Sequence, residues 1–216
     1  MAFFGTQDRR QPTAIVFTDV VDDSALVHRD QALGERQLEK SRTIVRRLLP
    51  RHGGREIETA GDGFLLEFPG ALGAVTAVVA IQQAIGRANA DSGDPPVRLR
   101  ASVHVGDVEH RGPEVFGDGV DIAARLLTHA PPGGVALSDA VRSLVRRRLD
   151  LPLRSIGLPA LKNITRPVEV FVVDSGTLQA FVVPESTAPT PTGRLDHRVA
   201  VLLALVLLAL AAALVI

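Results

Sequence analysis

Residues 13–20 read TAIVFTDV, apolar or β-branched almost throughout, between Pro12 and an acidic cluster. Such a run predicts a buried strand. Residues 30–51 predict a helix, because Leu38, Val45, Leu48 and Leu49 can share one face while Arg and Glu cover the other. His52-Gly53-Gly54 stops it. Residues 55–60 and 64–68 predict two short strands around Gly61-Asp62-Gly63, and Asp-Gly between such runs signals a hairpin. An Ala-rich apolar stretch, 71–89, predicts a second helix, and VRLRASVHV at 97–105 alternates like a strand. Then come a small hairpin at 108–115 around Arg111-Gly112-Pro113, a helix at 119–129, a strand at 134–137, a helix at 139–148 and a last strand at 168–173. Strands in tight hairpins, mixed with helices, predict an α+β fold with helices on one face of the sheet. A doubly wound nucleotide fold is disfavoured, because no G-x-G-x-x-G joins a strand to a helix and no G-x-x-x-x-G-K-[ST] occurs.

The last residues break this pattern. Residues 199–216, VAVLLALVLLALAAALVI, contain no polar side chain. As a helix they would reach about 27 Å, close to a hydrocarbon core of about 30 Å. A transmembrane anchor is expected, since a core helix of this length would show a polar face. Arg194, His197 and Arg198 precede the span, which places the rest of the chain on the cytoplasmic side. Before it, VPESTAPTPTG at 183–193 has the composition of an extended linker. The expected organisation is an N-terminal extension at 1–12, without the apolar run of a signal peptide, one domain at 13–174, a Pro/Thr-rich linker at 175–198 and the anchor.

Composition narrows the chemistry. Twenty-four basic and 24 acidic side chains cancel, so no global basic field points to nucleic acid. The chain has no cysteine, which excludes disulfides and thiolate-bound zinc. Asp19 ends the first predicted strand and Asp62 sits in the hairpin turn. Two carboxylates so placed can hold divalent cations through oxygen, although Asp is also common at strand ends and in turns for conformational reasons.

Five segments change the weight of that reading. Phe17-Thr18-Asp19-Val20-Val21 resembles the first metal-binding motif of class III adenylyl and guanylyl cyclases, and Glu58-Thr59-Ala60-Gly61-Asp62-Gly63-Phe64 the second. Residues 103–108 (VHVGDV) resemble the family's central strand, and 115–126 (VFGDGVDIAARL) its helix of transition-state residues. Leu161-Lys162 with residues 167–171 (PVEVF) resembles its closing segment. The five follow the family's order.

This resemblance implies a ferredoxin-like, mixed or antiparallel sheet. It implies two magnesium or manganese ions on Asp19 and Asp62, with the Val20 carbonyl as a further ligand. The ribose 3′-hydroxyl of a nucleoside triphosphate would attack the α-phosphorus, and pyrophosphate would leave. Arg125 would stabilise charge on the α-phosphate, and Lys162 would contact the terminal phosphate. It also implies a head-to-tail dimer with a second copy or a paralogue, in which one chain's Asp19 and Asp62 work with the partner's Glu58, Glu114, Asp121 and Arg125.

Three positions depart from the adenylyl pattern. Glu58 stands where Lys is common, Glu114 where Asp or Thr is common, and Asp121 where Asn is common. ATP is the first expectation. An ionised Glu58 suits the N–H donors of guanine, and a pyrimidine is a third candidate. An ionised Asp121 can only accept hydrogen bonds, where Asn could donate. The alternative function is a cyclase-like module of weak or absent turnover that binds nucleotide.

Overall fold

The computed structural model describes residues 12–21 and 31–184. The anchor expected at 199–216 and most of the linker lie outside them. Nine strands are described: β1 (Pro12–Val20), β2 (Arg55–Ala60), β3 (Gly63–Phe68), β4 (Leu99–Asp107), β5 (Glu109–Arg111), β6 (Glu114–Phe116), β7 (Val135–Ser138), β8 (Arg154–Ser155) and β9 (Val170–Val173). The helices are α1 (Gln31–Leu48), α2 (Ala71–Ser92), α3 (Asp118–Leu127), α4 (Asp139–Val145) and α5 (Ser175–Ala180).

Seven strands form one sheet in the order β2-β3-β1-β4-β7-β9-β8, and β5 and β6 form a separate hairpin. The first four arise from a β-α-β-β-α-β sequence and interleave as 2-3-1-4, which is the ferredoxin-like arrangement. The sheet is mixed: β4 and β7 are parallel, and the other neighbours are antiparallel.

Alternation along β1 sends Ala14 and Val16 to one face and Ile15 and Phe17 to the other. On the first face, α1, α2, α4 and α5 pack over a large core that includes Val16, Phe68, Val103 and Val173. On the second, α3 packs through Ile122, Ala123 and Leu126. The helices thus cover both faces rather than one, because the apolar side of α3 is matched by Ile15, Leu65, Ala136 and Val172 on the far side of the sheet.

Several expected boundaries move for local reasons. The first helix ends at Leu48 and tightens into a 3₁₀ turn over Leu49–His52, since Pro50 has no N–H to continue it. The strand expected from 97 begins at Leu99, because the Asn89 side chain takes both the N–H and the carbonyl of Val97. The expected linker starts too early: Asp174 caps α5, Leu178 is fully buried, and the Gln83 amide donates to the carbonyls of Leu178 and Phe181. The short strand β8 has no counterpart in the sequence pattern. Among the described residues only α2 is long and apolar enough to cross a membrane, and most of it is buried in the core.

Candidate active site

Asp19 lies near the end of β1, on the α3 face of the sheet. The β1–β4 register sets it directly opposite Arg100. Arg100 Nε donates to Asp19 Oδ2 at 3.0 Å, and Nη2 donates to the same oxygen. Val20 is the last residue of β1, paired with Leu99.

Asp62 sits in the two-residue connection between β2 and β3, where Ala60 pairs with Gly63. Gly61 has a positive φ of 60°, and Asp62 does not. Glycine at the first central position is the habit of type II′ hairpins, so the loop is Gly61-Asp62 rather than Asp62-Gly63. Arg42 from α1 fastens this turn by donating to the Gly61 carbonyl at 2.6 Å. The Thr18 hydroxyl accepts from Phe64 N–H at 3.1 Å, which ties the end of β1 to the start of β3.

Glu58 reaches the same place through a bulge. Glu56 pairs with Leu66 and Glu58 with Leu65, so Ile57 is the extra residue. Without it, Glu56 and Glu58 would share a face. With it, Glu56 faces α1, where Arg46 grips both its oxygens at 2.9 and 3.0 Å. That pairing, with a Thr59 bond, holds the Glu56 carboxyl below its ordinary range against the opposing effect of burial. Glu58 turns to the other side.

Asp19, Glu58 and Asp62 therefore border one cleft of about 190 Å³, together with Phe17, Thr18, Gly63, Phe64, Leu65 and Leu127. Three carboxylates against an apolar wall are hard oxygen donors suited to magnesium or manganese. Among the described residues, no three acidic or histidine side chains converge tightly enough to hold an ion by themselves.

The other expected site residues stand apart from this cleft. Asp121 is exposed on the first turn of α3, with Arg125 one turn further on. Arg125 is half-buried, and its Nε is shut off from solvent without a hydrogen-bond partner. Glu114 is exposed on β6. Lys162 is exposed beside Asn163, whose φ is 66°. Close backbone contact fixes the start of α3: a Cβ on Gly106 would lie 2.9 Å from Gly119 Cα. A larger cleft, about 450 Å³, lies there beside Arg166 and contains none of the expected site residues.

A family profile described as the Adenylate and Guanylate cyclase catalytic domain matches residues 6–158. The chain belongs to this family. The cyclase match takes in Asp19, Glu58, Asp62, Glu114, Asp121 and Arg125 and ends before Lys162. Putative adenylate cyclase 3 of Rhizobium meliloti is 38% identical over 165 residues, which are 76% of this chain and 28% of that protein. The chain thus spans under a third of that cyclase's length. A crystal structure described as an adenylate/guanylate cyclase/hydrolase from Silicibacter pomeroyi superposes with a TM-score of 0.70 at 31% identity, covering 76% of this chain and 96% of that one. The guanylate cyclase domain from Catenaria anguillulae, solved in complex with GTP, shares the fold, with a TM-score of 0.66 at 18% identity over 76% of this chain and 97% of that one.

Arg100, Arg42 and the Ile57 bulge are the parts of the site that sequence reasoning missed. The alternation of VRLRASVHV puts Arg100 on the face of Ser102 and His104. Linking it to Asp19 requires the β1–β4 register, which no local pattern carries.

Proposed function

We propose that the chain is the catalytic unit of a nucleotidyl cyclase that converts a nucleoside triphosphate to a 3′,5′-cyclic nucleotide and pyrophosphate. It works as a head-to-tail dimer with a second copy or a paralogue, and 199–216 holds it on a membrane with the domain in the cytoplasm. The observation that carries the dimer is the separation of two half-sites. Asp19 and Asp62 share a cleft, while Arg125 of the same chain lies outside it; the same chain's Glu58 also borders that cleft, so the expectation that only a partner's Glu58 stands there is not what the fold gives. A partner's α3 would bring its Arg125 to a triphosphate held at the cleft.

Asp19 and Asp62, with the Val20 carbonyl, would hold magnesium or manganese, two ions per site. Bound divalent ions supply Lewis acidity and charge neutralisation at the phosphates. Arg125 donates planar, permanently charged N–H groups to the α-phosphate oxygens as charge grows there. Lys162 pairs with the terminal phosphate, and Glu58 with Glu114 reads the base. The 3′-hydroxyl gives its proton to solvent water, its oxygen bonds to the α-phosphorus, and the bond from that phosphorus to the oxygen bridging the β-phosphate breaks, so that pyrophosphate leaves. The relatives named as adenylate cyclases favour ATP; Glu58 favours GTP. Incubating the full chain with each of four triphosphates and manganese, with product read by mass spectrometry, decides between them.

A second reading, a nucleotide-binding module of low turnover, is supported by Asp121, which sets a carboxylate where a donor to ribose or phosphate is needed. Mixed mutants separate the two. Asp62→Ala and Arg125→Ala should each be inactive, and their mixture should recover part of the activity, since each heterodimer holds one intact site. No recovery despite demonstrated subunit exchange would overturn the shared site. Deleting 199–216 should move the protein from the membrane to the soluble fraction; persistent membrane association would overturn the anchor.

A further inference from the structure

Asp19 enters its cleft with a cation already against it. Residues directly opposite in an antiparallel ladder hold their Cβ atoms about 4.5–5.5 Å apart on the same face, and Asp19 and Arg100 are such a pair. The contact is shielded, with side-chain exposures of 31% for Arg100 and 24% for Asp19. The guanidinium brings a positive charge to the pair. Both of its N–H bonds fall on Oδ2, and no described residue donates to Oδ1. Phe17, Phe64, Leu65 and Leu127 line the cleft beside Asp19, with Arg100 behind the carboxylate rather than in the lining, and lower the local dielectric.

Resting on the reading of Asp19 as a metal ligand, we propose that Arg100 is the resident counter-ion of this carboxylate and sets the affinity of the site for divalent cations. In the substrate-free protein it holds Asp19 aimed while repelling an incoming ion. Tight loading then waits for the triphosphate, whose negative charge offsets the guanidinium. Two effects of opposite sign meet here. Removing Arg100 frees the carboxylate from a competitor and also loses its orientation. Repulsion dominates, because interaction energy scales with the product of the charges and a dication feels the guanidinium twice as strongly as a monocation. Asp19 also remains held by its strand.

The experiment is Mn²⁺ binding to the substrate-free, full-length protein in detergent, followed by the paramagnetic resonance signal of the free ion. Arg100→Gln should tighten binding on the order of tenfold after solvent screening. Arg100→Lys, which keeps the charge, should stay near wild type. The gain should vanish when Asp19→Asn is added, and it should shrink when a non-hydrolysable triphosphate analogue is present. Arg100→Met, with a similar stem and no charge, serves if thermal unfolding shows that the Gln variant folds poorly. Unchanged or weaker Mn²⁺ binding in the uncharged variants, with wild type binding and Asp19→Asn impaired, would show that Arg100 only orients the carboxylate and would overturn the proposal. If neither wild type nor Arg100→Gln binds Mn²⁺ at millimolar concentration, the metal-ligand reading falls and takes this proposal with it.

Discussion

The face of the sheet under α1, α2 and α4 buries a nearly unbroken apolar set, from Ala14 and Val16 through Phe68 to Val173. The face under α3 interleaves its apolar residues with Asp19, Arg100, Ser102 and His104. Each of these polar groups has a partner: Arg100 serves Asp19, Ser102 Oγ donates to the Ala123 carbonyl at 2.6 Å, and His104 bonds Ser138. Buried polar groups add little net stability but cost much when their partners go. The first face therefore carries most of the folding free energy. The second spends part of its area on fixing the carboxylate cleft and α3, where the family's chemistry is expected.

The sharpest way to break this comparison is to damage each face once. Phe68 is fully buried and fills the space against Gly54 and Gly73. Phe68→Ala should cost about 3–5 kcal/mol in urea denaturation. Asp62→Ala, in a surface turn, should change stability by no more than about 0.5 kcal/mol, yet drop cyclic product below detection by mass spectrometry. Near-normal turnover of Asp62→Ala at saturating manganese would remove the functional half of the contrast.

The same division decides what the sequence reveals. The apolar face is legible, because the near-continuous apolar runs of β1, β3 and α2 are local signals of burial. The order of the five cyclase-like segments marks Asp19 and Asp62 as candidates, and the sheet brings both to one cleft. What stays hidden depends on pairing between distant segments. Glu56 and Glu58 look equivalent until the Ile57 bulge sends them to opposite faces. Asn89 shortens β4 through a side-chain bond that mimics a ladder. Arg100 reads as one polar residue of an alternating strand until β1 lies beside it.

A smaller effect should separate the faces by pH. His104 is almost fully buried on the α3 side. Its Nε2 lies 3.3 Å from Arg166 Nη2. A guanidinium only donates, so Nε2 accepts, and Nδ1 carries the proton toward Ser138 Oγ at 2.8 Å. Burial, reinforced by the Arg166 charge, pushes His104 from 6.5 down to about 4. The unfolded chain takes up a proton here below about pH 6.5, and the native chain only near pH 4. Stability from this ring is thus present above pH 6.5 and lost as pH falls toward 4. Between pH 7 and 5 the loss should be about 2 kcal/mol, and His104→Gln should flatten that part of the profile in denaturant titrations. Equal slopes in both proteins would mean that the ring is not held neutral.

The smallest expected effect sharpens the comparison most, because it pits stability against chemistry at one residue. Asp121 lies in the first turn of α3 with Asp118, where negative charge favours the positive end of the helix dipole. Asp121→Asn should therefore lose about 0.3–1 kcal/mol of stability. In a working dimer, Asp121 would face the partner's ribose and triphosphate, where an ionised carboxylate repels the substrate and cannot donate. Asparagine keeps the shape, removes the charge and restores a donor. A hydrogen bond that strengthens in the transition state is worth about 2–4 kcal/mol when fully formed, and imperfect alignment leaves part of that. Turnover should rise about tenfold, with magnesium dependence unchanged. A variant that is less stable and faster would mark Asp121 as a residue kept for the helix at the expense of the reaction. A variant that is less stable and slower would give Asp121 a positive role, as a further cation ligand or a proton acceptor. Two inert proteins, with dimerisation and Mn²⁺ binding intact, would favour the nucleotide-binding module.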